Sequence, residues 1–130
     1  MKILNPATNT VVADVVKDSA ADVRTKYRRA RAAQPGWAAV PMKQRLDAIH
    51  KFRDRITNRL EELAQTLTRE VGKPIKQSRN ELNGLLGRLD FFLAEAARVL
   101  RDEKVFADPK QKLEERISHE PLGVIANISA

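Results

Sequence analysis

Leu122 to Ile128 is a short, nearly continuous apolar run with β-branched side chains at Val124, Ile125 and Ile128. Such a run reads as a strand buried on both faces. Each of its backbone donors and acceptors needs a ladder partner, which a parallel sheet supplies only through further strands returned by crossover helices. The sequence ends at Ala130, two residues later. The expectation is therefore an α/β protein of which this chain is the leading segment, its first sheet strand cut at its carboxyl end. In open α/β sheets ligands bind outside those strand ends, so function is expected to begin where the sequence stops.

Composition sets modest limits. A chain of 130 residues can form one domain with a sizeable core. Its 24 Lys and Arg against 17 Asp and Glu give a net charge of +7, which could attract a polyanion. Stacking on bases needs aromatic rings, however, and the chain has one Trp, one Tyr and four Phe, so a nucleic-acid partner is not expected. The absence of cysteine removes any disulfide framework, thiolate nucleophile or thiolate metal site. A cytoplasmic location is the expectation. Met1 to Pro6 lacks the apolar core of a signal peptide, and no apolar run is long enough to cross a bilayer.

Ile3-Leu4, the Asn5-Pro6 break and the valine-rich stretch from Thr10 to Val16 predict a hairpin within residues 1–17. Ser19 with Asp22 forms the pattern of a capping box. The helix it opens carries Ala20, Val23, Tyr27 and Ala30 on one face and Arg24, Lys26, Arg28, Arg29 and Arg31 elsewhere. That basic cluster reads as a solvated face in preference to a phosphate site. Gln34-Pro35-Gly36-Trp37 is expected to end the helix, with Trp37 plugging the joint to the next. A second stripe runs from Met42 to Ile56. A third runs from Leu60 to Val71, with Asn58 and Glu61 as its cap and Gly72 as its stop. After Pro74 a broad apolar band extends from Ile75 to Leu100, too wide for a coiled-coil seam; Gly84 and Gly87 within it could admit another backbone. Beyond Arg101, Ala107 to Lys110 reads as a turn and Leu113 to His119 as a half-exposed strand. The 130 residues should thus be mainly α, with an N-terminal hairpin, a helical layer over 19–101 and two C-terminal strands at 113–119 and 122–130.

No complete active site is visible. His50 has Asp47 and Asp54 on its helical face, a weak metal pattern that is commonly only a polar surface. Gly72-Lys73 lacks the upstream glycine of a P-loop. Asn127-Ile128-Ser129 fits the glycosylation triplet, but a buried strand is the wrong context for it.

Four stretches taken together, in order and in spacing, resemble the aldehyde dehydrogenase superfamily. They are Asn5-Pro6-Ala7-Thr8 before the valine strand, Ala32-Ala33-Gln34-Pro35-Gly36-Trp37, Leu67-Thr68-Arg69-Glu70-Val71-Gly72-Lys73-Pro74, and Glu120-Pro121-Leu122-Gly123-Val124-Ile125. The resemblance implies an enzyme that oxidises an aldehyde to a carboxylic acid with NAD or NADP. It also implies a parent fold with a Rossmann-like cofactor domain, a catalytic domain and a small β-bridging domain that makes homo-oligomers. On that pattern the helices form a layer on the cofactor domain, 113–119 is a bridging strand and 122–130 is the first strand of the cofactor sheet.

At single positions the resemblance implies cofactor contacts at Ile128, Ser129 and Ala130, and a monovalent cation held by the Leu4 carbonyl and Glu70, where many members carry aspartate. The family's nucleophilic cysteine, glutamate base and oxyanion asparagine match nothing in these residues, so the chain alone is expected to be inactive. The competing expectation is a free-standing basic helical module that binds a protein or a nucleic acid.

Overall fold

A computed structural model describes residues 1–128. Lys2–Leu4 (β1) and Val11–Asp14 (β2) pair antiparallel. The connecting turn is held by Asn5, whose side-chain oxygen accepts from the Ala7 amide at 2.9 Å while its own amide donates to the Thr10 carbonyl at 2.9 Å. Four helices follow: Ala20–Ala39 (α1), Met42–Asn58 (α2), Leu60–Val71 (α3) and Ile75–Val99 (α4). A second antiparallel ribbon joins Glu103–Asp108 (β3) to Leu113–Ile117 (β4). The chain is mainly helical, and among the described residues no helix is long and apolar enough to cross a membrane.

The packed centre lies where α4 crosses α3 and α2. Ile56, Ala64 and Leu93 are its buried apolar residues, one from each of these helices. Ala64 is fully enclosed, which lets α3 and α4 approach closely. Ser78 is also fully buried, and its hydroxyl shares a 2.8 Å hydrogen bond with the Thr68 hydroxyl across the α3/α4 crossing. Removing the Ser78 hydroxyl strands that of the half-buried Thr68. Ser78→Ala should therefore cost about 1–3 kcal/mol, read from the urea midpoint, and the double change Ser78→Ala with Thr68→Val should recover part of it.

Forked ion pairs clamp the rim of the crossing. Arg53 of α2 holds Asp90 of α4 at 2.5 and 2.9 Å, and Arg79 of α4 holds Glu61 of α3 at 2.7 and 2.8 Å. The guanidinium hydrogen bonds hold the Asp90 and Glu61 carboxyls below their ordinary range. Asp22, bonded to Ser19, and Glu114, bonded to Lys104 and Arg116, shift the same way. A carboxyl whose pKa is lowered on folding stabilises the fold above its unfolded value and ceases to as pH falls through its folded one. Helix content should hold above the ordinary carboxylate pKa values and drop cooperatively as pH falls below them, more steeply in low salt than in high. An acid titration followed by far-UV circular dichroism that is flat, or insensitive to salt, would contradict this.

Several local expectations are revised. Instead of ending at Pro35, α1 runs through it to Ala39. A proline's fixed φ is helical, so the chain can continue at the cost of the hydrogen bond its missing amide would have made to the Arg31 carbonyl. Trp37 does not plug a helix joint but is 47% exposed, and α1 contributes no buried residue. Asn58 does not cap α3; the joint is the single residue Arg59, whose guanidinium turns to Glu62. Gly84 and Gly87 face open space. The strand β3 escaped the pattern because its register shifts between Lys104 and Phe106, which breaks the alternation a strand would show. Leu122 to Ile128 forms no strand, since no ladder partner reaches it: among the described residues 118–128 make no hydrogen bond to backbone or side chain. The capping box at Ser19 and the stop at Gly72 are present as expected.

Candidate functional site

Two places gather the residues to which the sequence points. The first is the contact between the N-terminal turn and the end of α3. Gly72 closes α3 in the left-handed region at φ 74°, its amide donating to the Thr68 carbonyl at 2.8 Å. The Pro6 ring lies directly over it: a Cβ on Gly72 would fall 2.6 Å from Pro6 Cγ and 3.3 Å from the Ala7 amide nitrogen. Only glycine satisfies both the dihedral and the close approach. Leu4 and Glu70 each stand two residues from this contact, on β1 and on the last turn of α3. The structure therefore brings together the two chain segments that carry them.

The donors there are oxygens, which suit a hard cation. Glu70 makes no ion pair among the described residues, and the C-terminal end of a helix carries partial negative charge. Beside it Lys73 pairs with Glu81 across the α3/α4 turn. Among the described residues no three His, Asp or Glu side chains gather around a common point, beside Glu70 or around His50 with Asp47 and Asp54. Sequence reading also passed over Arg45, whose Nε is buried without a hydrogen-bond partner on α2; one arginine in an amphipathic stripe gives no signal of that.

The second place is the tail. Gly123, at φ 102°, and Val124 are half-buried and line, with Ala30, Ala33 and Trp37 of α1, an open cleft of about 340 Å³. Leu122, Ile125 and Ile128 project into water at 95, 76 and 94% exposure. Of the three expected cofactor contacts, Ile128 is thus almost wholly exposed among the described residues, while Ser129 and Ala130 lie outside them. A further apolar cleft of about 360 Å³ opens on α4 between Phe91, Phe92, Ala96, Val99 and Leu100.

Neither place holds a nucleophile with a base. Comparison with known proteins decides what the arrangement is part of. The model of the aldehyde dehydrogenase family matches residues 1–130. The chain belongs to that family. N-succinylglutamate 5-semialdehyde dehydrogenase of Chromobacterium violaceum is 32% identical over 122 residues, which are 94% of this chain and 24% of that protein. The crystal structure of aldehyde dehydrogenase 21 from Physcomitrella patens, in complex with the reaction product succinate, superposes with a TM-score of 0.77 at 33% identity, covering 84% of this chain and 22% of that one. A Sinorhizobium meliloti structure complexed with NAD superposes at 0.75 with 32% identity, over 84% of this chain and 22% of its own. The chain spans about a quarter of the length of the curated relatives it matches.

Proposed function

We propose that the 130 residues are the amino-terminal part of an NAD(P)-dependent aldehyde dehydrogenase, an oxidoreductase that converts an aldehyde to a carboxylic acid, and that alone they are inactive. The observation that carries this is the family match along the whole chain, joined to a superposition that covers 84% of it at a TM-score of 0.77. The missing nucleophile fits the same reading, since the family attacks the aldehyde carbonyl with a thiolate and these residues contain no cysteine. A nicotinamide cofactor would supply the hydride acceptor when bound, and Ile128, Ser129 and Ala130 would be this chain's contribution to holding it. Leu4, through its carbonyl, and Glu70 would hold a monovalent cation where the first hairpin meets α3. We further assign 19–101 to a layer on the cofactor domain, 113–119 to a bridging element that builds homo-oligomers, and 122–130 to the first strand of the cofactor sheet, in a cytoplasmic enzyme.

The purified chain should yield no NADH or NADPH from any aldehyde, and turnover from a cysteine-free preparation would overturn these roles. A chimera tests the reading positively. The chain replaces the matching opening segment of the Chromobacterium violaceum enzyme, and the fusion should be soluble and oxidise that enzyme's substrate. A fusion that neither folds nor turns over would defeat the assignment.

A further inference from the structure

Between Arg24 and Arg31 the helix α1 carries five basic side chains in eight residues, all of them exposed. Lys26 is neutralised by Asp18, and Asp22, the only acid within α1, is bonded to Ser19. Among the described residues Arg24, Arg28, Arg29 and Arg31 make no ion pair, and their one side-chain hydrogen bond runs from Arg31 to Gln34 at 3.0 Å. A solvated helix face ordinarily mixes signs, as where Lys43 meets Asp47 on α2. On α1 the same spacings bring like charges together, Arg24 standing four residues before Arg28 and Arg28 three before Arg31. Such pairs weaken a helix, and an anion laid along the row would relieve that. At about 100° per residue the three arginines fall within an arc of about 60° and rise about 10 Å along the axis. Val23, Ala30 and Trp37 occupy the neighbouring arc, so the basic row and the apolar side of α1 are separate surfaces.

We propose that the row Arg24, Arg28 and Arg31 is a docking surface for inorganic polyphosphate, a linear anion whose successive phosphates accept the forked N–H groups of successive guanidiniums. The occupant follows from the charge of the row and from what surrounds it. Arginines spread along two turns call for a polymer, since a single phosphate cannot reach all three. A nucleic acid would leave its bases unstacked, because Tyr27 is the one aromatic ring between Arg24 and Arg31. An anionic bilayer needs a continuous apolar face to bury, and the apolar arc of α1 carries Gln34 and adjoins the Gly123–Val124 cleft. The surface stands on α1 alone and does not depend on the aldehyde dehydrogenase reading.

Isothermal titration of the 130-residue chain with long-chain polyphosphate tests this. Binding is expected in low salt and should weaken about tenfold between about 50 and about 200 mM salt, because each phosphate contact releases a counterion. The polymer should also raise the melting temperature of the chain, and orthophosphate should not compete. The triple variant Arg24→Gln, Arg28→Gln, Arg31→Gln should bind about tenfold more weakly with its helix content by circular dichroism unchanged. The control Lys51→Gln, Arg55→Gln, Arg88→Gln removes the same charge from exposed positions on α2 and α4 and should stay within about twofold of the parent. Equal weakening in the two triple variants would mean that net charge alone attracts the polymer, and the docking surface would be refuted. Competition by orthophosphate would reduce the row to a single-anion contact, and tighter binding of a thymidine oligonucleotide of matched charge would make the occupant a nucleic acid; either result overturns the proposal. So would the absence of binding in low salt.

Discussion

Gly72→Ala should be among the most damaging single-atom additions this chain can receive. Two effects add. An alanine at φ 74° carries the left-handed penalty of about 1–2 kcal/mol, and its methyl group would lie 2.6 Å from Pro6 Cγ. Pro6 belongs to a rigid ring in a turn fixed by Asn5, so relief requires the hairpin to lift from α3, comparable to overpacking at about 1–3 kcal/mol. A combined loss of about 2–5 kcal/mol is a large part of the total stability of a small domain, about 5–15 kcal/mol. The urea midpoint should fall accordingly. Gly84→Ala is the control, because that glycine sits inside α4 with open space around it; it should gain about 0.5–1 kcal/mol from helix propensity. If the two variants have the same midpoint, the Pro6 contact does not hold the hairpin in place. A cation between Leu4 and Glu70 would also be lost with that contact, so any potassium-dependent or sodium-dependent rise in melting temperature should vanish in Gly72→Ala.

The second large effect concerns the isolated chain in solution. Among the described residues the buried apolar ones are Ile56, Ala64 and Leu93, whereas Leu122, Ile128, Phe91, Phe92 and Val16 are more than half exposed. Large contiguous apolar surface and unpaired strand groups both drive association. Sedimentation at rising concentration should show oligomers, and the dye ANS should bind strongly. Ile125→Lys together with Phe92→Lys should return the chain towards monomer. A clean monomer over the whole concentration range, unfolding in one cooperative step, would mean that the exposed surfaces carry no net attraction.

Much of this architecture could be read from the residues because local chemistry dictated it. Ser19 and Asp22 satisfy one another at the start of α1 whatever lies beyond, and Gly72 stops α3 because the chain needs a left-handed residue there. The stripes from Met42, Leu60 and Ile75 found one another as α2, α3 and α4. What escaped was decided by less local terms. The bulged register of β3 hid its alternation, and the survival of α1 past Pro35 turned on whether a single hydrogen bond could be spared. The strand expected at Leu122 needs neighbours for its existence, so its pattern was legible while its conformation was not. For the candidate site, sequence similarity suggested Leu4 and Glu70, but the Pro6 to Gly72 contact that brings their segments together appears only in three dimensions.

The ribbon formed by β3 and β4 has water on both faces, every residue but Asp108 being exposed, and its tip is tied by the Asp108 side chain accepting from the Lys110 and Gln111 amides at 2.9 and 3.3 Å. A two-stranded hairpin on its own is marginal in water. Its tip, from Pro109 to Lys112, is accordingly a spot where an engineer could splice in an epitope or attach a fluorophore and leave the helical centre undisturbed.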